Sequence, residues 1–433
     1  MLEILYKKES IRRVFTFLAL FLFFILESCS KNSYEVSYKS RRESKFSANF
    51  ESGTLGEIEL LNMYDLSVSS YPYSIKYFNY VLEPPFEKNI LQDNVSKPIS
   101  RWYYFRMIGV KNNLIKFNFK HTDSELPFYS YDGVDFKRFS KEESGFNYFQ
   151  KLFLRDTVYI SYSFPYTFSH FISKAKKWSE KSNIFKVDTV GYSLGAKPIL
   201  LCTLTDNSVA DMNKKHVYIH CRIHPSETPS SYMVEKMIEF LLSGNKRSCE
   251  YLKNIIFHFI PMPNPDGVIA GHSRTNLLEY NLEVCFNENA VREHNEAIII
   301  KETIANLYSK KKIDLALNIH SQVLDKENLY FRKKSEVNDF LYEQQKIFNS
   351  ILGENDKFFS ADKPSFSDYS TFVVEHFFYR LSNGYTLALT YELPNTYYDK
   401  RANNGERYLM NKETIEYSAE QLLRSIDIWL HLD

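Results

Sequence analysis

The sequence predicts an α/β domain with a central mixed sheet over residues 178–433, preceded by an all-β sandwich domain over residues 46–177. Three observations lead there. Between Phe46 and Trp178, short runs alternate apolar and polar residues with a period near two and are rich in β-branched and aromatic side chains. After Trp178, strand-like apolar runs alternate with segments of helical spacing, the pattern of an α/β sheet. The 433 residues are also too many for one small core, so two domains are expected. The 35 Phe and 32 Tyr suit β packing and aromatic-lined clefts. With a formal net charge of +1 and no long basic block, nucleic acid is not an expected partner.

The first element is an export signal. Lys7, Lys8, Arg12 and Arg13 form a positive segment ahead of the apolar run 'VFTFLALFLFFIL', which is short for a bilayer span. 'LESCSKNS' follows, with Cys29 after the small Ser28. This resembles the lipobox of bacterial lipoproteins, although Glu27 is untypical within it. The resemblance implies a signal peptide over 1–28, a lipidated Cys29 and a polar tether over 29–45. It would place the body in a membrane-anchored position on the periplasmic or cell-surface side. An uncleaved anchor helix is the alternative. Cys202, Cys221, Cys249 and Cys285 show no metal-ligand spacing to one another and predict no particular pairing, so they are taken as small core residues.

In the sandwich, 'GEIELLNMYDLSVSS', 'RWYYFRMIGVKNNLIKFNFK' and 'DTVYISYSFPYTF' carry the strand pattern, and 'KNN' reads as a hairpin turn. In the second domain the strands are 'HVYIHCRI', 'NIIFHFIPM', 'IDLALNIH' and 'YTLALTYEL'. The helices between and after them are 'SSYMVEKMIEFLLSG', 'EHNEAIIIKETIANLYSKKK', 'EVNDFLYEQQKIFNSIL' and the closing 'KETIEYSAEQLLRSIDIWLHL'. 'PNPDG' reads as a tight turn in which Asn264 and Asp266 bond their own backbone.

The chemistry-bearing residues gather at strand ends, where α/β sheets place ligands. A zinc hydrolase needs three protein ligands, often His2Glu, and an open position for water. His224 and Glu227 stand three apart just past 'HVYIHCRI', where a short loop aims both at one ion. His320 follows the apolar run 'IDLALNI', and Glu392 closes 'YTLALTYE' ahead of Pro394. A lone H-x-x-E is weak, and a surface histidine or a strand-capping imidazole is an ordinary feature. Three strand ends bearing His/Glu, His and Glu are a rarer coincidence, and together they favour a zinc site with a general base.

These residues resemble the zinc metallocarboxypeptidase family, and within it the cytosolic-carboxypeptidase-like branch. 'RIHPSETPSSY', 'FIPMPNPDGVIAGHSR', 'NIHSQ' and 'TYEL' carry the likeness in the second domain. 'FESGTL', 'RWYYFRM' and 'FPYTFS' carry it in the β-sandwich, so it runs from about Phe50 to the C-terminus. The resemblance implies that His224, Glu227 and His320 bind one Zn2+, that Glu392 is the general base, and that Arg274 stabilises the oxyanion. It implies a metallopeptidase acting on peptide or protein C-terminal tails. Tyr369 falls near the family's substrate-covering tyrosine, a match of little weight in so Tyr-rich a chain.

One departure stands out. Where the family reads D-L-N-R, with Asn and Arg holding the substrate's terminal carboxylate, this chain reads Asn281-Leu282-Glu283-Val284. A glutamate cannot donate to a carboxylate and repels it when ionised. Three readings stay open: a carboxypeptidase in which Lys400 or Arg401 takes the carboxylate, a zinc amidohydrolase or deacylase of altered specificity, and a non-catalytic zinc- or peptide-binding lipoprotein.

Overall fold

The computed structural model describes residues 44–66, 75–85, 100–287, 295–366 and 371–432. The expected signal segment, Cys29, nearly all of the tether and Tyr369 lie outside the described residues. Among the described residues no helix is long and apolar enough to cross a membrane. Cys202, Cys221, Cys249 and Cys285 are all free, and all but Cys249 are buried.

Two five-stranded sheets build the N-terminal region. One orders Lys45–Ser47, Tyr104–Ile108, Thr157–Ser161, Phe128–Ser130 and Lys137–Arg138; the other orders Glu57–Leu66, Ile75–Glu83, Asn113–Phe119, Tyr148–Phe153 and Ser144–Gly145. Alternation sends every second side chain inward, as with Phe78, Tyr80 and Leu82 on one strand and Ile115, Phe117 and Phe119 on the next. The sheets meet through aromatic rings: Phe46 lies 5.1 Å from Tyr80 and 5.8 Å from Phe117, and Phe105 lies 5.6 Å from Phe117.

The expected 'KNN' hairpin is not formed. Tyr104–Ile108 pairs with Lys45–Ser47 and Thr157–Ser161, whereas Asn113–Phe119 pairs with Ile75–Glu83 and Tyr148–Phe153 in the opposite sheet. The intervening turn, with Gly109 and Asn112 at φ 82° and 59°, carries the chain across the sandwich. Both strands bury alternate residues in one core from opposite sides, and alternation does not say which sheet a strand joins.

The helix Phe168–Lys181, capped by Thr167, links the two halves and buries Phe171, Ala175 and Trp178. The boundary expected at 177/178 falls inside it. Beyond it stands an eight-stranded mixed sheet ordered Phe185–Tyr192, Pro198–Leu204, Ile255–Ile260, Lys215–Cys221, Leu315–Gln322, Leu387–Pro394, Asn328–Phe331 and Ser365–Phe366. The first two strands, a hairpin, were not among those expected. The four strands from Ile255–Ile260 to Leu387–Pro394 run parallel. They read as near-continuous apolar runs because helices cover both faces. Thr228–Leu241, Asp339–Asn355 and Lys412–Leu430 pack on one face, and Asn295–Lys310 and Val374–Leu381 on the other.

The sandwich docks on the α/β half through hydrogen bonds. Ser52 Oγ donates to Val268 O (2.7 Å), Thr54 Oγ1 donates to Gly271 O (2.6 Å), and Arg101 N donates to Ser273 Oγ (2.9 Å). Gly271 ends the helix Pro265–Ala270 at φ 70°, and a Cβ there would overlap Thr54 Oγ1.

Phe117 is fully buried and stacks with Tyr80 (5.1 Å) and Phe149 (5.3 Å). Phe117→Ala is expected to cost about 3–5 kcal/mol, read as a lower denaturant midpoint for the tryptophan signal.

Candidate metal centre

Three neighbouring parallel strands, Lys215–Cys221, Leu315–Gln322 and Leu387–Pro394, end at the same edge of the sheet. After Cys221 the chain reverses on Arg222, a buried non-glycine residue at φ 60°. Such a backbone costs about 1–3 kcal/mol and persists where its surroundings hold it. Here Arg222 Nε donates to Pro225 O (2.6 Å) and Nη1 to Ser231 Oγ (3.0 Å). The reversal sets Glu227 at the N-cap of Thr228–Leu241, whose first turn contains Pro229.

Glu227 makes no cap with its side chain and turns it to the imidazoles instead. Oε1 lies 2.8 Å from His224 Nδ1; Oε2 lies 2.8 Å from His320 Nδ1 and accepts from Ser321 N at 3.2 Å. The ligand atoms of His224, Glu227 and His320 all fall within 4.8 Å of one another, and all three residues are buried. His320 and Glu392 are partners in the register of adjacent parallel strands, so both side chains leave the same face. Glu392 Oε2 is buried with no hydrogen-bond partner. Arg274, Glu283, Thr390 and Tyr330 join these residues around a cavity of about 300 Å³.

The electrostatics follow from burial and crowding. Burial alone would lower His320, yet Glu227 and Glu283 raise it well above the ordinary imidazole value. Burial and the charge of Arg274 lower His224. Glu227 is held well below the usual carboxylate range, against desolvation, by the two histidines. Burial pushes Glu392 up to about 8, opposed by His320 and Arg274. Burial also lowers His220, one strand over, to about 4.

Two imidazole Nδ1 atoms and a carboxylate form the borderline donor set that zinc takes. The contacts that Glu227 makes with Nδ1 of both rings are those a divalent ion would take over on binding. The residues therefore fit such an ion. Asn281 completes the arrangement: its Oδ1 lies 3.0 Å from His224 Nε2, which leaves Nδ1 as the ligating nitrogen. Asn281 lay in the departing Asn281–Val284 segment but carried no expected role. A polar residue ending a loop beside the ligands was the available signal.

Other expectations change. 'PNPDG' opens the helix Pro265–Ala270 rather than a free turn. Asn264 caps that helix at Gly267 N and also donates to Ile223 O (3.0 Å) and Thr275 O (3.2 Å), tying the His224 loop to the Arg274 loop. Asp266 accepts from Ser193 Oγ (2.8 Å) and Gly195 N (2.7 Å), far from its own neighbours in sequence. A Cβ at Gly267 would meet Thr275 O and Pro225 Cγ, so this close approach needs glycine. Lys400 and Arg401 lie on an exposed hairpin, where Arg401 bonds Gly405 O, and neither lines the cavity. Among the described residues the lysine and arginine side chains that do line it are Arg274 and Arg101, the latter from the sandwich and paired with Asp123 at 2.8 Å.

A family model described as zinc carboxypeptidase matches residues 172–425. The chain belongs to the zinc carboxypeptidase family. Among curated relatives, human cytosolic carboxypeptidase 6 is 25% identical over 342 residues, covering 74% of this chain and 65% of the relative. Bovine cytosolic carboxypeptidase 3 is 23% identical over 361 residues, covering 74% of this chain and 33% of the relative. The match therefore takes in less than two thirds of the length of either relative. Among solved structures, a metallo-carboxypeptidase from Burkholderia cenocepacia superposes with a TM-score of 0.69 at 19% identity, covering 90% of this chain and 99% of that one. A Pseudomonas aeruginosa metallo-carboxypeptidase in complex with (2-guanidinoethylmercapto)succinic acid gives 0.69 at 16% identity, covering 89% and 98%. At these identities the structural likeness is one of fold.

Because Asn281 fixes the ring of His224, Asn281→Ala is expected to weaken zinc binding about 10–100-fold. Competition against a chromophoric chelator measures it, with His320→Ala as the variant that loses the site.

Proposed function

We propose that this chain is a zinc-dependent peptidase that hydrolyses an amide bond at or near the C-terminal end of a peptide. The observation that supports it best is the meeting of His224, Glu227 and His320 with Glu392 in register beside His320. Zinc held by this donor set supplies Lewis acidity that makes a neighbouring water nucleophilic near neutral pH. Glu392, with its unpartnered Oε2 on the cavity wall, takes the proton from the attacking water and passes it to the leaving amine. Burial raises its affinity for a proton, and the positive charge of an ion held beside it would oppose that rise and favour the ionised form a base needs. Arg274 faces the developing negative charge of the former carbonyl oxygen. Asn281 holds His224, and Ser321 N helps hold Glu227. The relatives' name, carboxypeptidase, supports the C-terminal position of the cut.

A second reading has one observation behind it. Glu283 lines the cavity where the family pattern calls for the asparagine of a carboxylate receptor, which favours a substrate presenting something other than a bare carboxylate there. An amidohydrolase or deacylase of altered specificity is that reading. Incubating the zinc-loaded protein with mixed peptides, with and without chelator, separates the readings by product mass. Glu392→Gln is expected to lower kcat by about 10²–10⁴-fold while one zinc per chain is retained. Full turnover in that variant would remove Glu392 from the mechanism, and zinc binding without turnover in the parent protein would leave a binding module.

The export reading is likewise a proposal, supported by the basic, apolar and Cys29-bearing segment alone. It contrasts with the relatives' name, cytosolic. Metabolic labelling with palmitate is expected to mark the chain and to be lost in Cys29→Ser.

A further inference from the structure

Directly below the His320–Glu392 pair, the same two strands present Asn318 opposite Thr390, and His220 stands beside Asn318 on the next strand. Two carboxylates close over this second row. Glu283 comes from the short turn Leu282–Val284, and Glu375 from the first turn of Val374–Leu381. Asn318 Nδ2 donates to both oxygens of Glu283 (3.0 and 3.1 Å) and reaches Glu375 Oε1 at 3.5 Å. Thr390 Oγ1 donates to that same Oε1 at 2.5 Å. Glu375 Oε2 and Asn318 Oδ1 are buried without a partner, Glu375 being 5% and Asn318 2% exposed.

Buried carboxylates are ordinarily met by a cation. Here, among the described residues, no lysine or arginine makes an ion pair with either one. The charged neighbour of Glu283 is His320, 3.3 Å away and spoken for as a metal ligand. Arg332, whose field reaches Glu375, points Nη2 to His376 (3.1 Å) and Nε to Glu336 (3.4 Å), while its Nη1 is buried without a hydrogen-bond partner and makes no ion pair with Glu375. Of the two arginines on the cavity wall, Arg101 is paired with Asp123, and the charge of Arg274 acts on His224 and Glu392. Glu283 and Thr390 stand on the cavity wall, and Asn318 and Glu375 are buried directly behind them.

We infer that Glu283 and Thr390 on the cavity wall, with Asn318 and Glu375 behind them, form a recess that binds a cationic group, an ammonium or guanidinium, on the side chain of the residue released from the substrate. This rests on the hydrolytic reading for its meaning but not for its test. A guanidinium or ammonium would give Glu375 Oε2 and Asn318 Oδ1 the donor each lacks and would place a positive charge between two carboxylates. The substrate class is then a peptide ending in a basic residue, and Glu283 becomes a specificity residue in place of a carboxylate receptor.

Arginine and citrulline differ in charge at nearly constant shape, so their binding isolates the recess. Calorimetric titration of the zinc-loaded full chain is expected to give arginine at least about tenfold tighter binding than citrulline, and Glu375→Gln to bring the ratio near one. Equal binding of the two, or no binding of either, would overturn the inference and leave Glu283 as a support for His320. Because no turnover is needed, a protein that discriminates yet cleaves nothing keeps the recess and loses the hydrolytic reading. An enzyme that trims leucine- and arginine-ended peptides alike does the reverse.

Discussion

One carboxylate holds the centre together. Glu227 joins the loop after Lys215–Cys221 to the end of Leu315–Gln322 by touching an imidazole from each, and it does so from the N-cap of Thr228–Leu241. That position is itself demanding, because the chain reaches it through the left-handed turn at Arg222. The bonds from Arg222 to Pro225 and Ser231 hold the strained residue in place, so the local cost is met by local contacts. Without a charge to share, burying two histidines and a glutamate together would be unfavourable. Their mutual contact, or an ion between them, is what makes the burial tolerable.

The rest of the chemistry is stacked by the parallel sheet. Residues two apart on a strand face the same way, so the His320–Glu392 pair stands above the Asn318–Thr390 pair with no further instruction needed. The upper row faces Glu227 and the cavity, and the lower row bonds Glu283 and Glu375. On the proposed readings, reaction and selection fall on successive rungs of one ladder. A shift of a single residue in that ladder would turn both rows into the opposite core.

Much of this was legible beforehand, for reasons that can be named. The strands that carry His320 and Glu392 near their ends are apolar runs into which a histidine or a glutamate intrudes, and such an intrusion is visible in the sequence. The zinc carboxypeptidase resemblance supplied the order of the segments. What escaped was pairing between distant parts. Alternation in 'RWYYFRMIGVKNNLIKFNFK' marks which residues are buried but cannot say that its two strands belong to different sheets. Asp266 looked like a turn residue because its partners, Ser193 and Gly195, are some seventy positions away. Asn318 and Thr390 carried a usable sign, being polar positions two before the site residues on the same strands. Glu375 carried none, since a glutamate in the first turn of a helix is an ordinary surface feature until the fold buries it.

Arg101 shows how the two halves share their work. It belongs to the sandwich, yet it stands on the wall of a cavity whose floor is the parallel sheet, and its backbone is bonded to Ser273 beside Arg274. Ser52 and Thr54 grip the same region from the sandwich side. Exchange of residues in the small sheets can therefore reshape the mouth of the cavity while the strands that carry the ligands stay untouched. Under the proposed function, what enters could then be tuned from the sandwich while the parallel sheet keeps what happens inside unchanged.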